Sequence, residues 1–362
     1  MVKEVVGSFV LLGDLREISV YGSGHINDTF RLSYETENGI RRYILQRMNR
    51  SVFAAPEELM ENIIGVTGWL KEKIREVGGN PERETLTLVK SRNGNYYYQD
   101  SEGEYWRIYL FVEGTTSYDQ VERPEDFYQS AVTFGHFQRM MADYPARTLH
   151  ETIPGFHNTV KRFGDFKRAV EADVCGRVKE VEEEIRFVME REAFAHTLCD
   201  LEARGEIPVR VTHNDTKLNN ILMDNETGKG LCVIDLDTVM PGLAVNDFGD
   251  SIRFGASTGS EDEKDLSKIS CDLDLYRIYT RGFLEGCCGA LTDVELDHLP
   301  TGAIMMTFEC GMRFLADYLE GDHYFKISRK EHNLDRCRTQ FKLVRDMEEK
   351  LEEMKAIVNE YR

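Results

Sequence analysis

Hydrophobic and polar positions alternate along the first third of the chain, as they do in half-buried strands. Residues 29–34 and 43–46 follow this pattern, and Glu37-Asn38-Gly39 between them supplies a hairpin turn. A helix is predicted at about residues 57–77, where every third or fourth residue is apolar. Further strands are predicted at residues 5–13, where we favour a strand over a signal peptide, and at 86–89, 96–98 and 105–112.

The apolar spacing becomes helical after Glu113-Gly114. Helices are predicted at residues 124–141, 160–170, 176–203, 272–286, 293–318 and 333–361. The pattern therefore predicts an α+β protein of two lobes with a cleft between them. Residues 1–113 form a small antiparallel sheet lobe, and residues 114–362 form a larger, mainly helical lobe.

Composition and charge exclude several classes of partner. The chain has 45 Lys and Arg against 64 Asp and Glu, a net charge of −19, so it offers few cations to nucleic acid or to an anionic membrane surface. No segment approaches the length of a membrane helix. The eight cysteines are dispersed without CxxC pairs, which indicates reduced thiols in a cytoplasmic protein. The oligomeric state stays open between monomer and dimer.

The most informative stretch is a short strand followed by a polar loop, residues 209–222, and then a strand with an acidic end, residues 233–237. It places Asp215, Asn220 and Asp235 on loops at strand ends. Asp215 is the candidate catalytic base, since a carboxylate orients an acceptor hydroxyl and takes its proton. Asn220 and Asp235 are candidate ligands of Mg²⁺ on a nucleotide triphosphate.

An ordinary Asn- and Asp-rich turn is the competing interpretation. The Asn at the required offset and the strand-borne second Asp together favour the functional one. By resemblance to the catalytic loop of kinases, His213 is expected to brace the loop through hydrogen bonds. Asn246-Asp247-Phe248-Gly249-Asp250 resembles a kinase metal motif but comes too late in the chain, so Asp247 is interpreted as a structural acceptor. Gly228-Lys229-Gly230 is interpreted as a hairpin turn.

A glycine-rich segment lies upstream and is the candidate nucleotide clamp. It reads Gly22-x-Gly24-x-x-Asn27-x-Thr29, where glycines allow the backbone to approach phosphates. A strand follows it, which argues against a dinucleotide site that needs a helix N-terminus.

The next strand lacks the lysine with which kinases usually hold the nucleotide phosphates. Gln46 and Arg47 occupy its place, and strand alternation predicts that only one of them contacts phosphate. Glu61 on the following helix is a candidate partner for a cation. Phe111 and Val112 are expected to contact the adenine through backbone groups.

These motifs resemble the kinase catalytic core as it occurs in the aminoglycoside phosphotransferase and choline kinase superfamily. The resemblance implies a protein-kinase-like bilobal fold that uses ATP and Mg²⁺. Residues 213–220 (H-N-D-T-K-L-N-N) and 234–242 (I-D-L-D-T-V-M-P-G) are more specifically similar to the bacterial N-acetylhexosamine 1-kinases. That likeness implies a sugar bound near Asp215 and Thr238, with Arg313 and Tyr324 carried over as hexosamine-binding residues.

Three hypotheses of function remain. The first is an ATP-dependent kinase for the anomeric hydroxyl of GlcNAc or GalNAc. The second is a phosphotransferase for an aminoglycoside, choline or another amino alcohol. The third is an ATP-binding pseudoenzyme, which the missing lysine favours and the intact Asp215, Asn220 and Asp235 oppose.

Overall fold

A computed structural model describes residues 2–22 and 26–362, so the predicted clamp residue Gly24 lies outside the described residues. The chain divides into two compact units. The first comprises Met1–Ser117, Asp143–Pro154 and Ile221–Met240, and the second comprises Tyr118–Ala142, Gly155–Asn220 and Pro241–Arg362. The division into residues 1–113 and 114–362 stays a prediction.

Strands and helices are numbered along the chain. The strands are β1 Asp14–Val20, β2 Asp28–Thr36, β3 Gly39–Arg47, β4 Tyr98–Gln99, β5 Tyr105–Leu110, β6 Thr115–Thr116, β7 Arg210–Thr212, β8 Ile221–Asp224, β9 Gly230–Val233 and β10 Met240–Gly242. The helices are α1 Val2–Gly7, α2 Pro56–Glu76, α3 Pro81–Glu84, α4 Pro124–Met140, α5 Thr159–Ala172, α6 Glu182–Met189, α7 Glu192–Ala203, α8 Ala244–Gly255, α9 Leu273–Cys287, α10 Asp293–Glu320, α11 His332–Glu349 and α12 Leu351–Glu360. No helix of the described residues combines the length and apolar character needed to cross a bilayer.

The first unit contains an antiparallel sheet with the strand order β1-β2-β3-β5-β4. The pairing of Thr36 with Gly39 confirms the predicted hairpin turn between β2 and β3. Alternation places Leu32, Leu45 and Ile108 on the buried side, where each is 0% exposed. A second sheet, in the order β6-β8-β9, confirms the predicted hairpin at residues 228–230.

Two strand predictions in the first unit are wrong. Residues 2–7 are helical instead of beginning a strand, and α1 inserts Val5 and Val6 into the core beside the sheet. Adjacent apolar residues suit a short helix end as well as a strand, so the pattern alone did not separate them. Residues 86–89 form only an isolated bridge, Leu88 with Tyr109. The predicted strand at 96–98 is reduced to β4.

Two long predicted helices are broken in the second unit. The segment 176–203 becomes a 3-10 turn at Val178–Glu180 followed by α6 and α7. Arg191 leaves the helical conformation between them, stacks 3.6 Å from the Phe187 ring centre and pairs with Glu348. The segment 333–361 divides at Lys350 into α11 and α12. These breaks depend on tertiary contacts, which local periodicity does not record.

The second unit is mainly helical, and α8 lies against α10 at a close backbone crossing. A side-chain carbon at Gly249 would lie 2.3 Å from the carbonyl oxygen of Gly302, and one at Gly302 would lie 2.1 Å from that of Val245. Both distances are too short for atoms that are not bonded. The glycines therefore fix how closely α8 approaches α10.

We expect Gly249→Ala to destabilise the protein by about 1–3 kcal/mol, because the added methyl group must push the two helices apart. Urea unfolding followed by circular dichroism measures the change. The matched control is Gly68→Ala in α2, where an added carbon meets nothing within 4 Å. That change should stabilise by about 0.5–1 kcal/mol, since it removes only the flexibility of glycine in a helix. Equal free energies of unfolding for wild type and Gly249→Ala would contradict the close approach of α8 to α10 at Gly249.

Candidate active site

The loop that carries Asp215 leaves β7 and is held by α8, within the second unit. The carboxylate of Asp247 accepts the backbone N–H groups of His213 at 2.9 Å and Asn214 at 2.8 Å, and also the side chain of Gln138 at 2.8 Å. Asn214 adopts a left-handed conformation with φ 63°, which costs free energy for a residue with a side chain. The predicted role of Asp247 as a structural acceptor is confirmed.

A second set of contacts fixes the middle of the same loop. Thr216 donates its hydroxyl to the Asp247 carbonyl at 2.5 Å and its backbone N–H to Asp250 at 3.1 Å. Its own carbonyl accepts the hydroxyl of Ser251 at 2.6 Å, and Ser251 accepts that of Tyr279. Each polar group of Thr216 therefore has a partner on α8, which leaves its backbone little freedom.

The Asp215 side chain lies between a cation and an amide. Lys217 Nζ is 2.7 Å from its Oδ1, and Asn220 Nδ2 donates to its Oδ2 at 3.1 Å and to its carbonyl oxygen at 2.8 Å. Burial acts to raise the pKa of Asp215, but Lys217, His213 and Asn220 together outweigh it and hold the pKa below the usual range. Asp215 is therefore ionised at neutral pH and fit to accept a hydrogen bond from a hydroxyl group.

The Asn220 amide and Asp235 provide oxygen atoms that suit Mg²⁺. Because Asn220 commits its amide nitrogen to Asp215, its Oδ1 is the atom left for a ligand. Asp235 belongs to the first unit, where it follows β9 with φ 58° and begins the 3-10 turn Leu236–Thr238. The described residues contain no cluster of three or more metal-ligating side chains of the His, Cys, Asp and Glu types. Magnesium commonly uses one or two carboxylates together with substrate phosphates, so the Asn220 amide oxygen and the Asp235 carboxylate are each of a type that suits it.

The predicted nucleotide-binding side chains of the first unit contact one another. Asn27 Nδ2 donates to Asp237 Oδ2 at 2.7 Å, and its Oδ1 accepts the Asn49 backbone N–H at 3.0 Å. Gln46 Nε2 donates to the Thr29 hydroxyl at 3.2 Å. Gly22 has φ 78° and an open environment, as a backbone turn requires.

The other predicted nucleotide contacts lie at strand ends of the same unit. Arg47 pairs with Asp28 and lies 5.9 Å from the Trp106 ring centre. The Phe111 N–H donates to the Arg42 carbonyl at 3.1 Å, and the Val112 carbonyl accepts the Thr115 hydroxyl at 2.8 Å. Glu61, the candidate cation partner, lies instead 2.7 Å from His150 Nε2.

Arg107 is a residue that the sequence analysis missed. It lies in the middle of β5, is 1% exposed, and its Nη2 is 2.6 Å from Asp237 Oδ1. Its Nε and Nη2 also donate to Gln46 Oε1 at 3.0 and 2.8 Å. Burial acts to lower the pKa of Arg107, and Asp237 and the neighbouring Tyr109 more than compensate. The missed signal was a lone charge within the apolar run Tyr-Trp-Arg-Ile-Tyr-Leu, since buried charges require partners.

The predicted acceptor residues Arg313 and Tyr324 line one cavity in the second unit. The cavity has a volume of about 400 Å³, and Arg162, Arg168 and Phe325 also contribute to its wall. The Arg313 guanidinium lies 5.3–5.5 Å from the ring centres of Phe156, Tyr324 and Phe325. Its Nη2 donates to the Tyr324 hydroxyl at 3.3 Å. An aromatic setting of this kind keeps the guanidinium plane in a defined orientation.

A buried His–Glu pair connects this region to the Asp215 loop and was also missed from the sequence. His157 Nδ1 lies 2.9 Å from Glu309 Oε1, and His157 Nε2 is 3.5 Å from the Asn214 carbonyl oxygen. Burial acts to lower the pKa of His157, but Glu309 outweighs it, so the pKa is raised. His157 follows Phe156 in the chain, and Glu309 precedes Arg313 by one helical turn. The pair therefore supports both the Asp215 loop and the surroundings of Arg313.

Comparison with known proteins shows the family to which the chain belongs. A model of the APH family, described as the phosphotransferase enzyme family, matches residues 17–268. The chain therefore belongs to this phosphotransferase family.

Three solved structures are similar to this chain in fold. A choline kinase from Cryptosporidium parvum Iowa II has 14% identity and a TM-score of 0.56, over 95% of this chain and 92% of the other. Spectinomycin phosphotransferase, in complex with ADP and spectinomycin, has 14% identity and a TM-score of 0.54, over 93% and 94%. Aminoglycoside 2′-phosphotransferase-IIIa, in complex with GDP, has 13% identity and a TM-score of 0.59, over 91% and 93%. These likenesses confirm the predicted kinase-like α+β fold.

The His157–Glu309 pair makes stability depend on pH. Because the folded-state pKa of His157 is raised above its ordinary value of 6.5, the pair contributes fully below pH 6.5, and the contribution is lost as the pH rises through the folded-state pKa. We expect the thermal midpoint of wild type to exceed that of His157→Gln most at pH 6, with the difference shrinking towards alkaline pH. A difference for His157→Gln that grows with pH would contradict the assignment.

Proposed function

We propose that this protein is an ATP- and Mg²⁺-dependent small-molecule kinase. It transfers the γ-phosphoryl group to a sugar hydroxyl, namely the anomeric hydroxyl of an N-acetylhexosamine such as GlcNAc or GalNAc. The observation that carries the proposal is the fixed, ionised carboxylate of Asp215, which Lys217 and Asn220 contact directly. Family membership supports the phosphoryl-transfer chemistry.

Each residue of the site has a defined part in this proposal. Asp215 accepts the hydrogen bond of the acceptor hydroxyl and turns its oxygen towards the γ-phosphorus. It receives the hydroxyl proton as the new P–O bond forms and the bond between the γ-phosphorus and the bridging oxygen of ATP breaks, with ADP as the leaving group. Lys217 keeps Asp215 ionised before the transfer. Asn220 Oδ1 and Asp235 serve as the protein ligands of Mg²⁺. When bound, Mg²⁺ supplies positive charge to the phosphate oxygens.

The nucleotide is held by the first unit in this proposal. Gly22 and Gly24 let the backbone approach the phosphates, while Phe111 and Val112 contact the adenine ring. Arg47 is the favoured one of the two candidate phosphate contacts, because Gln46 is engaged by both Arg107 and Thr29 while the Arg47 side chain is 39% exposed beside Asp28. Two of the similar structures contain ADP and GDP, so ATP and GTP are compared in the assay.

The donors of the Arg313 cavity support a sugar as the acceptor. Three arginines and three carboxylates line the cavity, namely Arg162, Arg168, Arg313, Asp165, Asp317 and Glu320. Asp165 pairs with Arg168, and Asp317 accepts the backbone N–H groups of residues 323–325. Arg162 and Arg313 can donate hydrogen bonds to the hydroxyl and acetamide oxygens of a sugar. Thr238 is a further proposed contact of the sugar.

The catalytic role of Asp215 is tested by Asp215→Asn, which keeps the shape and removes the charge. We expect turnover of ATP with the acceptor to fall by about 10²–10⁴-fold, as for the loss of a general base. The thermal midpoint should change little, since the Asp215 and Lys217 side chains retain 28% and 34% of their exposure. The control Asp200→Asn removes an exposed carboxylate from α7 and should leave turnover unchanged. Full activity of Asp215→Asn would remove it from the mechanism.

The acceptor is identified by incubating the protein with ATP or GTP, Mg²⁺ and one acceptor at a time. GlcNAc and GalNAc should each give a sugar 1-phosphate signal in the phosphorus NMR spectrum, while spectinomycin, kanamycin, choline and ethanolamine give none. A product from one of the amines alone would establish the second hypothesis. Nucleotide binding with no transfer to any acceptor would establish a pseudoenzyme.

A further inference from the structure

We propose that Arg107 is a positioning residue for the metal–nucleotide complex: it holds the turn that carries Asp235 in the conformation that binds Mg²⁺. The inference rests on the proposed function, because it concerns the same nucleotide site. It assigns a role to the residue in the centre of β5 that no motif of the chain identifies.

The first step is the isolation of the Arg107 charge from water. The side chain lies among the apolar residues of β5 and is 1% exposed. Such a charge is tolerated only when carboxylate and amide oxygens replace the lost water. Asp237 and Gln46 supply those oxygens. The remaining donor, Nη1, is buried and has no hydrogen-bond partner among the described residues.

The second step is the set of segments that the guanidinium joins. Gln46 lies at the end of β3 and donates onward to Thr29 on β2. Asp237 uses Oδ1 for Arg107 and accepts Asn27 Nδ2 on its Oδ2. One guanidinium thus connects β2, β3, β5 and the 3-10 turn Leu236–Thr238. Strands β2 and β3 carry Thr29, Gln46 and Arg47, three of the predicted nucleotide-binding residues.

The third step is the consequence for Asp235. Asp235 precedes the turn by one residue and has φ 58°, a conformation that side chains other than glycine adopt at a cost in free energy. Neighbouring contacts must therefore hold it. Asp237 lies two residues after Asp235 and has three contacts. Its carboxylate contacts Arg107 and Asn27, and its carbonyl oxygen accepts the Thr152 hydroxyl at 3.3 Å. Arg107 acts on Asp235 through Asp237, as a residue behind a metal ligand acts on the ligand.

The fourth step explains why an arginine occupies this position. Nε and Nη2 share Gln46 Oε1 while Nη2 also reaches Asp237, a geometry that needs a planar fork of donors. A lysine offers one ammonium on a flexible stem and would hold these partners less firmly. Replacement of a buried ion pair by apolar residues is often neutral for stability, so stability alone does not account for this pair.

The test is the affinity for ADP with and without Mg²⁺, measured by titration calorimetry on the full chain. We expect the double variant Arg107→Met/Asp237→Asn to lose about 10–100-fold in affinity for ADP in the presence of Mg²⁺, as for other residues that orient a metal ligand. Its affinity for ADP in EDTA should stay close to that of wild type. The double variant removes both charges, so neither is left buried without a partner.

Two further variants complete the design. Arg107→Lys keeps the charge and should show an intermediate loss of the affinity for ADP in the presence of Mg²⁺. This variant provides the test if the double variant does not fold. Arg16→Met removes an exposed cation from β1 and should bind as wild type does. The inference would be overturned if the Arg107 variants kept the affinity of wild type for ADP with Mg²⁺. It would also be overturned if they lost affinity for ADP by the same factor with Mg²⁺ and in EDTA. Failure of wild type to bind ADP with Mg²⁺ would instead refute the proposed function.

Discussion

The arrangement of the Asp215 loop depends on one buried carboxylate, that of Asp247. Its two oxygens accept consecutive backbone N–H groups, and Gln138 supplies a third donor. Burial raises the pKa of Asp247, while the hydrogen bonds from His213 and Asn214 favour its charged form. Because successive N–H groups converge on one acceptor only when the backbone turns sharply, this contact accounts for the left-handed conformation of Asn214.

The same constraint extends from the loop into the helices of the second unit. Asp247 can serve the loop only if α8 is correctly placed, and the crossing of Gly249 and Gly302 fixes α8 against α10. Helix α10 also carries Glu309 and Arg313. The helix that sets the loop geometry is therefore packed on the helix that lines the Arg313 cavity. A change at the crossing would disturb both regions, even though neither glycine contacts a ligand-binding side chain.

The sequence predicted residues whose chemistry fixes their spacing and missed residues whose partners come from distant segments. Asp215 and Asn220 were recognisable because one loop must present a carboxylate and an amide at a set offset, and the structure joins them directly. Arg107 and Asp237 are 130 positions apart in the numbering of the chain and meet only after β5 and the turn after β9 are placed. Periodicity predicted helix α4 well but missed the break at Arg191, which the Phe187 ring and Glu348 stabilise.

Two of the buried ion pairs illustrate different uses of a charge in a low-dielectric interior. In the His157–Glu309 pair the pKa of the histidine is raised, and the ring loses its proton as the pH rises through that pKa, so the strength of the pair follows the solution pH. In the Arg107–Asp237 pair the guanidinium keeps its proton at every pH at which proteins fold. A turn that must present Asp235 in one conformation needs a partner whose charge does not vary. The permanent charge of arginine, together with its fixed fork of donors, meets that requirement better than histidine or lysine would.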